Sequence, residues 1–286
     1  MYRICFMKRV PLLLSVFLLV SCAVKPPQKQ AGPITLFEPE GTGFVLGETG
    51  AVIEGSGVAT GEVAYGTLDG KPLKGYLAVP PGEGPFPALV LIHEWWGLND
   101  NIMANAQAFA REGYIALAVD LYEGESAGTD QTKARELAGR VSENMERAFD
   151  NLREAVAFLR SDQKVDKNAL GSVGWCFGGG WSYQMAKNDL GIRATVMYYG
   201  RFNTDDDLTH MKSQIIGHFG EKDTGILVDT VREFRIKLQG LSGAHEIYIY
   251  PNAGYGFANN DNPAFDPAAA DVAWDRTKEF LEKTLK

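Results

Sequence analysis

A continuous apolar run at 88–93 (ALVLIH) is the feature that most narrows the folds open to this sequence. The run follows a Pro- and Gly-containing loop at 80–87 and is rich in β-branched residues, so it predicts a β-strand. Because no polar residue alternates with the apolar ones, both faces of this strand must be covered, as in the centre of a parallel sheet. The sequence therefore predicts an α/β protein with helices on both sides of the sheet.

Strand and helix patterns alternate along the chain at α/β spacing, with no internal repeat or internal domain boundary. Asp69-Gly70 predicts a β-hairpin, and Asn99 or Asp100 can cap a helix that Gly113 ends. We expect a doubly wound, mostly parallel sheet with its active groups at the carboxyl ends of the strands. Strands are predicted at 61–67, 74–79, 88–93, 114–119, 170–175, 194–199, 214–219 and 246–250, and helices after 99 or 100, at 142–160, just past 176, at 227–239 and at 267–285.

The N-terminal segment has the order of an export signal. Arg3, Lys8 and Arg9 precede an apolar run at 10–20 that is too short to span a bilayer as a helix. The run ends in Leu-Val-Ser before Cys22, which resembles the bacterial lipoprotein box, where such a Cys becomes the diacylated first residue of the mature chain. The alternative is an ordinary secretory signal whose Cys is incidental.

On this interpretation the chain divides into a signal peptide (1–21), a lipidated Cys with a polar tether (22–50) and a folded domain (51–286). Removing 1–21 takes away three basic residues and no acidic one, so the net charge falls from −8 to −11. The lipid rather than charge would then hold the protein to a bilayer. Ala23 after the Cys resembles lipoproteins sorted to the outer membrane, and we expect the domain to face the periplasm.

Charge and cysteine content set two further limits. With 28 basic against 36 acidic residues, the chain lacks the electrostatic footprint of a nucleic-acid-binding protein. Cys5 leaves with the signal and Cys22 would be acylated, so Cys176 is the one free thiol and no disulfide forms within the mature chain.

The sequence around Cys176 predicts a nucleophile. Gly174-Trp175-Cys176-Phe177-Gly178-Gly179 lies between a predicted strand and a predicted helix, which is the nucleophile-elbow pattern with cysteine in place of serine. At a helix N-terminus the backbone N–H groups favour a thiolate and can hold a developing oxyanion. The structural alternative is a glycine-rich turn around a buried, inert cysteine.

His93-Glu94-Trp95 follows the buried strand, so Glu94 is expected above the sheet. In a pocket walled by tryptophan its pKa should be raised, which suits proton exchange, and the backbone N–H of Trp95 would pair with that of Phe177 as oxyanion donors. A capping or salt-bridged glutamate is the alternative. Asp223 follows a later strand, where α/β-hydrolases place the acid of a catalytic triad.

Six motifs carry a resemblance to the dienelactone hydrolase family, which are α/β-hydrolases with a cysteine nucleophile. They occur in the family's order and cover about 60–285: HEWWGLNDNI (93–102), VDLY (119–122), GWCFGGG (174–180), YYG (198–200), GEKD (220–223) and YPNAGYGFAN (250–259). The resemblance implies the α/β-hydrolase fold and a carboxymethylenebutenolidase-like activity. It also implies that Cys176 attacks a small ester or lactone, that Glu94 takes the thiol proton when substrate binds, and that Asp223 orients a catalytic histidine.

The sequence departs from the family at that histidine, because Tyr255 stands in its place. A phenol with a reference pKa near ~10 is a poor base at neutral pH. His93 belongs to the HE motif and His245 is expected at the wrong end of the sheet, which leaves His210 and His218 as candidate substitutes.

Two hypotheses follow. The first is a lipid-anchored hydrolase, slowed by the missing histidine, in which Asp223 positions Tyr255. The second is a weakened or inactive relative whose pocket binds a small carbonyl compound or a partner protein. A purely structural lipoprotein is disfavoured, since a strained elbow serves no packing purpose. We find no metal-ligand spacing, phosphate loop or dinucleotide motif, and we predict a monomer without a cofactor.

Overall fold

A mixed sheet of nine strands runs through residues 50–286, which are the residues that the computed structural model describes. The predicted signal peptide and all of the predicted tether except its last residue lie outside this range. The strands are β1 (Ala51–Val52), β2 (Ala59–Leu68), β3 (Lys71–Val79), β4 (Phe86–Ile92), β5 (Ile115–Val119), β6 (Val165–Trp175), β7 (Ala194–Tyr198), β8 (Gln214–Gly220) and β9 (Glu246–Tyr250).

The strand order is β1-β2-β3-β5-β4-β6-β7-β8-β9. Strands β1, β2 and β3 pair antiparallel with their neighbours, and all pairs from β5 to β9 are parallel. The chain steps from β4 to β5 on one side and then crosses to β6 on the other, so the order reverses at β4. In open α/β sheets such a reversal leaves a crevice at the carboxyl ends of the two strands involved. Glu94 follows one of these strands and Cys176 follows the other.

Helices cover both faces of this sheet, as predicted. The helices are α1 (Asp100–Arg111), α2 (Gln131–Glu143), α3 (Met145–Ser161), α4 (Phe177–Lys187), α5 (Val228–Gln239) and α6 (Pro267–Leu285). Helices α1 and α6 pack on one face through Phe109 and Phe280. On the other face, α2, α3 and α4 pack through residues such as Leu137, Leu152 and Met185, and α5 continues that layer at the β8–β9 edge.

Local sequence signals account for several boundaries. Asp69 and Gly70 both have positive φ (49° and 75°), as a tight two-residue hairpin turn requires, and the predicted hairpin is confirmed. The side chain of Asn99 accepts a hydrogen bond from the Ile102 N–H and caps α1. Gly113, with a φ of 85°, follows its end.

The prediction for 131–161 was wrong in part. A helix at 142–160 was expected, whereas the structure has two helices, α2 and α3, that meet at Asn144. The first went unpredicted because only Ala134 and Leu137 of α2 are buried, which leaves little apolar periodicity to detect. Strand β6 also begins earlier than expected, at Val165 instead of residue 170. Among the described residues, no helix has the length and apolar character needed to cross a bilayer.

Candidate active site

Cys176 sits at the turn between β6 and α4 with a φ of 55° and a ψ of −116°, a strained conformation for a residue with a side chain. The neighbouring glycines make this turn possible. A Cβ atom at Gly174 would lie 2.0 Å from the carbonyl oxygen of Gly178, and one at Gly178 would lie 2.1 Å from that of Ile92. The predicted elbow is therefore present, and glycine is needed at positions 174 and 178 for the backbone segments to approach this closely.

The thiol of Cys176 is held by hydrogen-bond donors but stays protonated. The backbone N–H groups of Phe177 and Trp95 and the hydroxyl of Tyr255 hydrogen-bond to its sulfur, and each of them lowers its pKa. Burial and the charge of Glu94 outweigh them and raise the pKa to about 11. The expectation that backbone N–H groups at the helix N-terminus favour a thiolate is confirmed in direction, but desolvation of the sulfur is the larger effect.

Glu94 lies directly beyond β4 and is 5% exposed. Asn259 donates a hydrogen bond to its Oε2, and the hydroxyl of Tyr199 donates to its Oε1 across 3.4 Å. Both bonds favour the ionised carboxylate, but burial dominates and raises the pKa of Glu94 to about 7. The predicted rise in pKa is confirmed. The hydrogen-bond partners of the carboxylate, an amide and a phenol, were not predicted.

Sequence reasoning missed Tyr199 and Asn259 as parts of the site. Both fall inside motifs that it quoted, YYG and YPNAGYGFAN, but no role was attached to either side chain. The amide of Asn259 is oriented by its own contacts, because its Oδ1 accepts the backbone N–H of Asp261 at 2.9 Å. Its NH₂ group is thereby directed to Glu94.

The side chain of His93 holds the backbone of the loop that carries Glu94 through hydrogen bonds. Its Nδ1 lies 2.6 Å from the carbonyl oxygen of Glu94, and its Nε2 accepts the backbone N–H of Leu121 at 3.1 Å. The ring is fully buried, and burial lowers its pKa. His93 is thus a neutral structural residue that fixes the backbone on which Glu94 and Trp95 stand.

Asp223 follows β8 and is 4% exposed. Its Oδ1 accepts the backbone N–H groups of Gly225 (2.7 Å) and Ile226 (3.0 Å). Its Oδ2 is buried and has no hydrogen-bond partner among the residues that the structure describes. This carboxylate is therefore tied to its own loop through one oxygen only.

Tyr255 closes the other side of the site and is 38% exposed. Its ring packs on Tyr199 at a centroid distance of 5.3 Å, and its hydroxyl hydrogen-bonds to Cys176. Burial, and then the nearby Cys176, Glu94 and Asp223, raise its pKa. The expectation that Asp223 positions Tyr255 was wrong: the phenol donates to the thiol, and no hydrogen bond joins it to Asp223.

None of the four histidines, all of which lie in the described range, replaces the missing base. His218 is buried with Tyr250 and Thr277 on its two ring nitrogens (2.8 and 2.9 Å), and burial lowers its pKa to about 3. His210 is exposed beside Asp207. Neither of the two candidate substitutes lines the cavity over Cys176.

A cavity of about 630 Å³ opens over Cys176. Its lining is mainly aromatic and apolar on one side, through Trp95, Phe177 and Trp181, whereas Arg201 and Asp223 line it elsewhere. The unpredicted helix α2 and the start of α3 also contribute to the wall. A second cavity of about 400 Å³ lies on the α2–α3 face and includes none of Cys176, Glu94 and Asp223. Within 50–286, no cluster of three or more His, Cys, Asp or Glu residues could hold a metal ion.

Comparisons with known proteins agree on one family. The sequence profile of the dienelactone hydrolase family matches residues 73–285. A protein of Methylorubrum extorquens named "Putative carboxymethylenebutenolidase" is 27% identical over 85% of this chain and 89% of its own length. "Protein usf" of Aquifex pyrophilus is 29% identical over 79% of this chain and 99% of its own.

Solved structures show the same fold. A dienelactone hydrolase-like promiscuous phosphotriesterase from metagenomic libraries superposes with a TM-score of 0.73 at 19% identity, over 81% of this chain and all of that one. Esterase 2 of Thermogutta terrifontis superposes with a TM-score of 0.60 at 17% identity, over 80% of this chain and 95% of that one. The predicted α/β-hydrolase fold, a mostly parallel sheet covered by helices, is confirmed.

Proposed function

Since the chain belongs to the dienelactone hydrolase family, we propose that it is a hydrolase of small esters or lactones, carboxymethylenebutenolidase-like, with Cys176 as its nucleophile. The observation that carries this proposal is the arrangement at the β4–β6 crevice. There a strained Cys lies beside a buried glutamate with a pKa of about 7 and receives two backbone N–H groups. A nucleophile, a proton acceptor and oxyanion donors thus lie close together at this crevice.

In the proposed acylation step, Glu94 takes the thiol proton as the sulfur attacks the substrate carbonyl carbon. The proton transfer is uphill in the empty site, because burial raises the pKa of the thiol above that of Glu94. The thiol therefore stays unreactive until a substrate carbonyl is in place. The C–O bond then breaks, and Glu94 returns the proton to the leaving oxygen.

The backbone N–H groups of Trp95 and Phe177 are the proposed oxyanion donors. In the resting enzyme they are directed at the sulfur. When a substrate carbonyl enters, its oxygen takes these bonds, which strengthen as negative charge develops on it.

Deacylation is expected to be the slow step of the reaction. In the family the histidine would activate the attacking water, and Tyr255 in its place is a donor with a raised pKa. We therefore expect acylation to outrun deacylation, so that the enzyme turns over slowly.

The test is hydrolysis of a panel of activated esters and lactones by the wild type and by Cys176→Ala. The wild type should release product from at least one small ester or lactone, and Cys176→Ala from none. Retained turnover in Cys176→Ala would contradict the proposed mechanism.

A second candidate is a binding module with no turnover, and the thiol pKa of about 11 together with the Tyr255 hydroxyl on its sulfur favours it. This candidate predicts saturable binding of small carbonyl compounds in calorimetry, with neither product nor acyl adduct from any ester in the panel.

We further propose that the protein is exported and anchored to the outer membrane by acylation of Cys22, facing the periplasm. The support is the sequence alone: a charged start, the apolar run and the Leu-Val-Ser-Cys box in the order that export requires. Mass spectrometry of the membrane fraction should find acylated Cys22. Full partition of Cys22→Ser into membranes would contradict the anchor.

A further inference from the structure

The unpartnered oxygen of Asp223 is the least explained polar atom in the cavity. Oδ1 has two backbone donors, Oδ2 has none among residues 50–286, and the residue is 4% exposed. Leaving a buried acceptor without a donor destabilises the folded state, and more so when the group is charged. An acceptor in this state suits a donor that arrives during the reaction.

The position of Asp223 fits such a donor near the thioester. Strand β8 lies two strands from β6 in the sheet order, which places the two backbones roughly 10 Å apart. Asp223, Tyr255 and Cys176 line the same cavity. The hydroxyl of Tyr255 is bonded to the sulfur, and the charge of Asp223 raises its pKa. Once the sulfur is acylated it is a poor acceptor, so the partly exposed Tyr255 loses the bond that holds it there.

We propose that Asp223 is the general base of deacylation: its Oδ2 binds the water that attacks the acyl-enzyme and takes a proton from it. This inference rests on the proposed acylation of Cys176. It gives Asp223 direct contact with the attacking water, a different role from orienting a histidine.

Hydrolysis of the acyl-enzyme proceeds through a tetrahedral intermediate. The water oxygen forms a bond to the thioester carbon while one water proton moves to Asp223 Oδ2. The tetrahedral intermediate collapses, the C–S bond breaks and its electron pair stays on sulfur, where the Tyr255 hydroxyl donates to it. The proton on Asp223 then passes to the sulfur, whose pKa of about 11 favours the thiol, and the carboxylic acid leaves.

Glu94 is less suited to this step, although it is the other buried carboxylate in the site. Both of its oxygens already accept hydrogen bonds, from Asn259 and from Tyr199. A water could use only the one lone pair left on each of these oxygens, whereas Asp223 Oδ2 accepts no hydrogen bond from residues 50–286.

The test is pre-steady-state ester hydrolysis by the wild type and Asp223→Asn. Asparagine keeps an oxygen for the Gly225 and Ile226 N–H groups, so the loop fold is retained. We expect an unchanged burst and a steady-state rate at least ~10²-fold lower, with the acyl group accumulating on Cys176. Asp205→Asn, the same change at an exposed position, is the matched control and should leave both phases unchanged.

Hydroxylamine separates a base from a merely structural residue. It attacks thioesters without needing a general base, so it should discharge the acyl-enzyme at equal rates in the wild type and Asp223→Asn. A wild-type steady state in Asp223→Asn would overturn the inference and leave the proposed function intact, as would equal slowing of hydroxylamine and water. The proposed function fails on a different result, which is undiminished turnover in Cys176→Ala.

Discussion

Two buried carboxylates, Glu94 and Asp223, stand at the carboxyl ends of parallel strands, and their surroundings differ. They are 5% and 4% exposed. Glu94 is held through both oxygens by side chains from distant parts of the chain, Tyr199 and Asn259, whereas Asp223 is held through one oxygen by its own loop. In the proposed mechanism, the thiol-activating half of the site (Glu94) thus has both carboxylate oxygens bonded, while the water-activating half (Asp223) ends at an unpartnered oxygen.

The residue at 255 accounts for the difference. An imidazole has two ring nitrogens, so it can donate to a carboxylate on one side and exchange a proton on the other. The phenol of Tyr255 has one polar atom, which is bonded to Cys176 and therefore unavailable to Asp223. One half of the site can thus keep its chemistry while the other half works more slowly.

The largest change expected within this comparison is on the Glu94 side. Glu94→Gln removes the proton acceptor and should lower the acylation rate by at least ~10²-fold, measured as the rate of the product burst. Glu233→Gln, at an exposed position on α5, is the matched control and should retain the wild-type burst. A full-rate burst in Glu94→Gln would show that the thiol is activated by another group.

A smaller gain is expected on the Asp223 side. Tyr255→His places a two-nitrogen group between Asp223 and Cys176 and should speed the slow phase by ~10-fold or more. Tyr255→Phe removes the hydroxyl without adding a base, so it should give no gain. If the slow phase of Tyr255→His is no faster than that of the wild type, the absence of a base at position 255 does not limit the rate, and Tyr255 serves only as a wall of the pocket.

A further effect is on stability, and it should oppose the effect on activity. Burial raises the pKa of Glu94 from 4.5 to about 7, so the stability it contributes is complete below about pH 4.5 and is lost as the pH rises through 7. Glu94→Gln should therefore be more stable than the wild type above pH 7, by up to about 3 kcal/mol, with the gain fading toward pH 4.5.

Urea unfolding at about pH 8 and about pH 5 measures this difference. The site can accept the amide, because Asn259 still donates to its oxygen and the Tyr199 hydroxyl can rotate to accept from its nitrogen. Equal stability of the two proteins at both pH values would contradict a buried, destabilised Glu94.

The fold and most site positions could be predicted because they depend on local sequence. The buried strand at 88–93, the hairpin at Asp69-Gly70 and the glycines around Cys176 each have few conformations open to them. The helix α2 could not be found in this way, since it buries only two side chains and its interior is polar. Hydrophobic periodicity reveals a helix only where one face of the helix is buried against the rest of the protein.

The state of the site depends on contacts distant in sequence, and this part was predicted less well. Asn259 meets Glu94 across 165 positions, and no local pattern indicates that pairing. The thiolate expected from the helix N-terminus is absent because burial raises the thiol pKa to about 11, an effect of the whole fold. Likewise, the hydroxyl of Tyr255 could have bonded to Asp223 or to Cys176, and tertiary geometry decides between them.

Intact-mass measurement of the enzyme during turnover tests the central claim most directly. Wild-type protein mixed with excess activated ester and quenched in acid should show a mass increase of one acyl group, located by digestion at Cys176, while product appears as a burst followed by a slow steady state. Cys176→Ala should show neither. Linear turnover by the wild type with no acylated protein at any time would contradict the account, because it would mean that the water-activating half of the site is not the slower one.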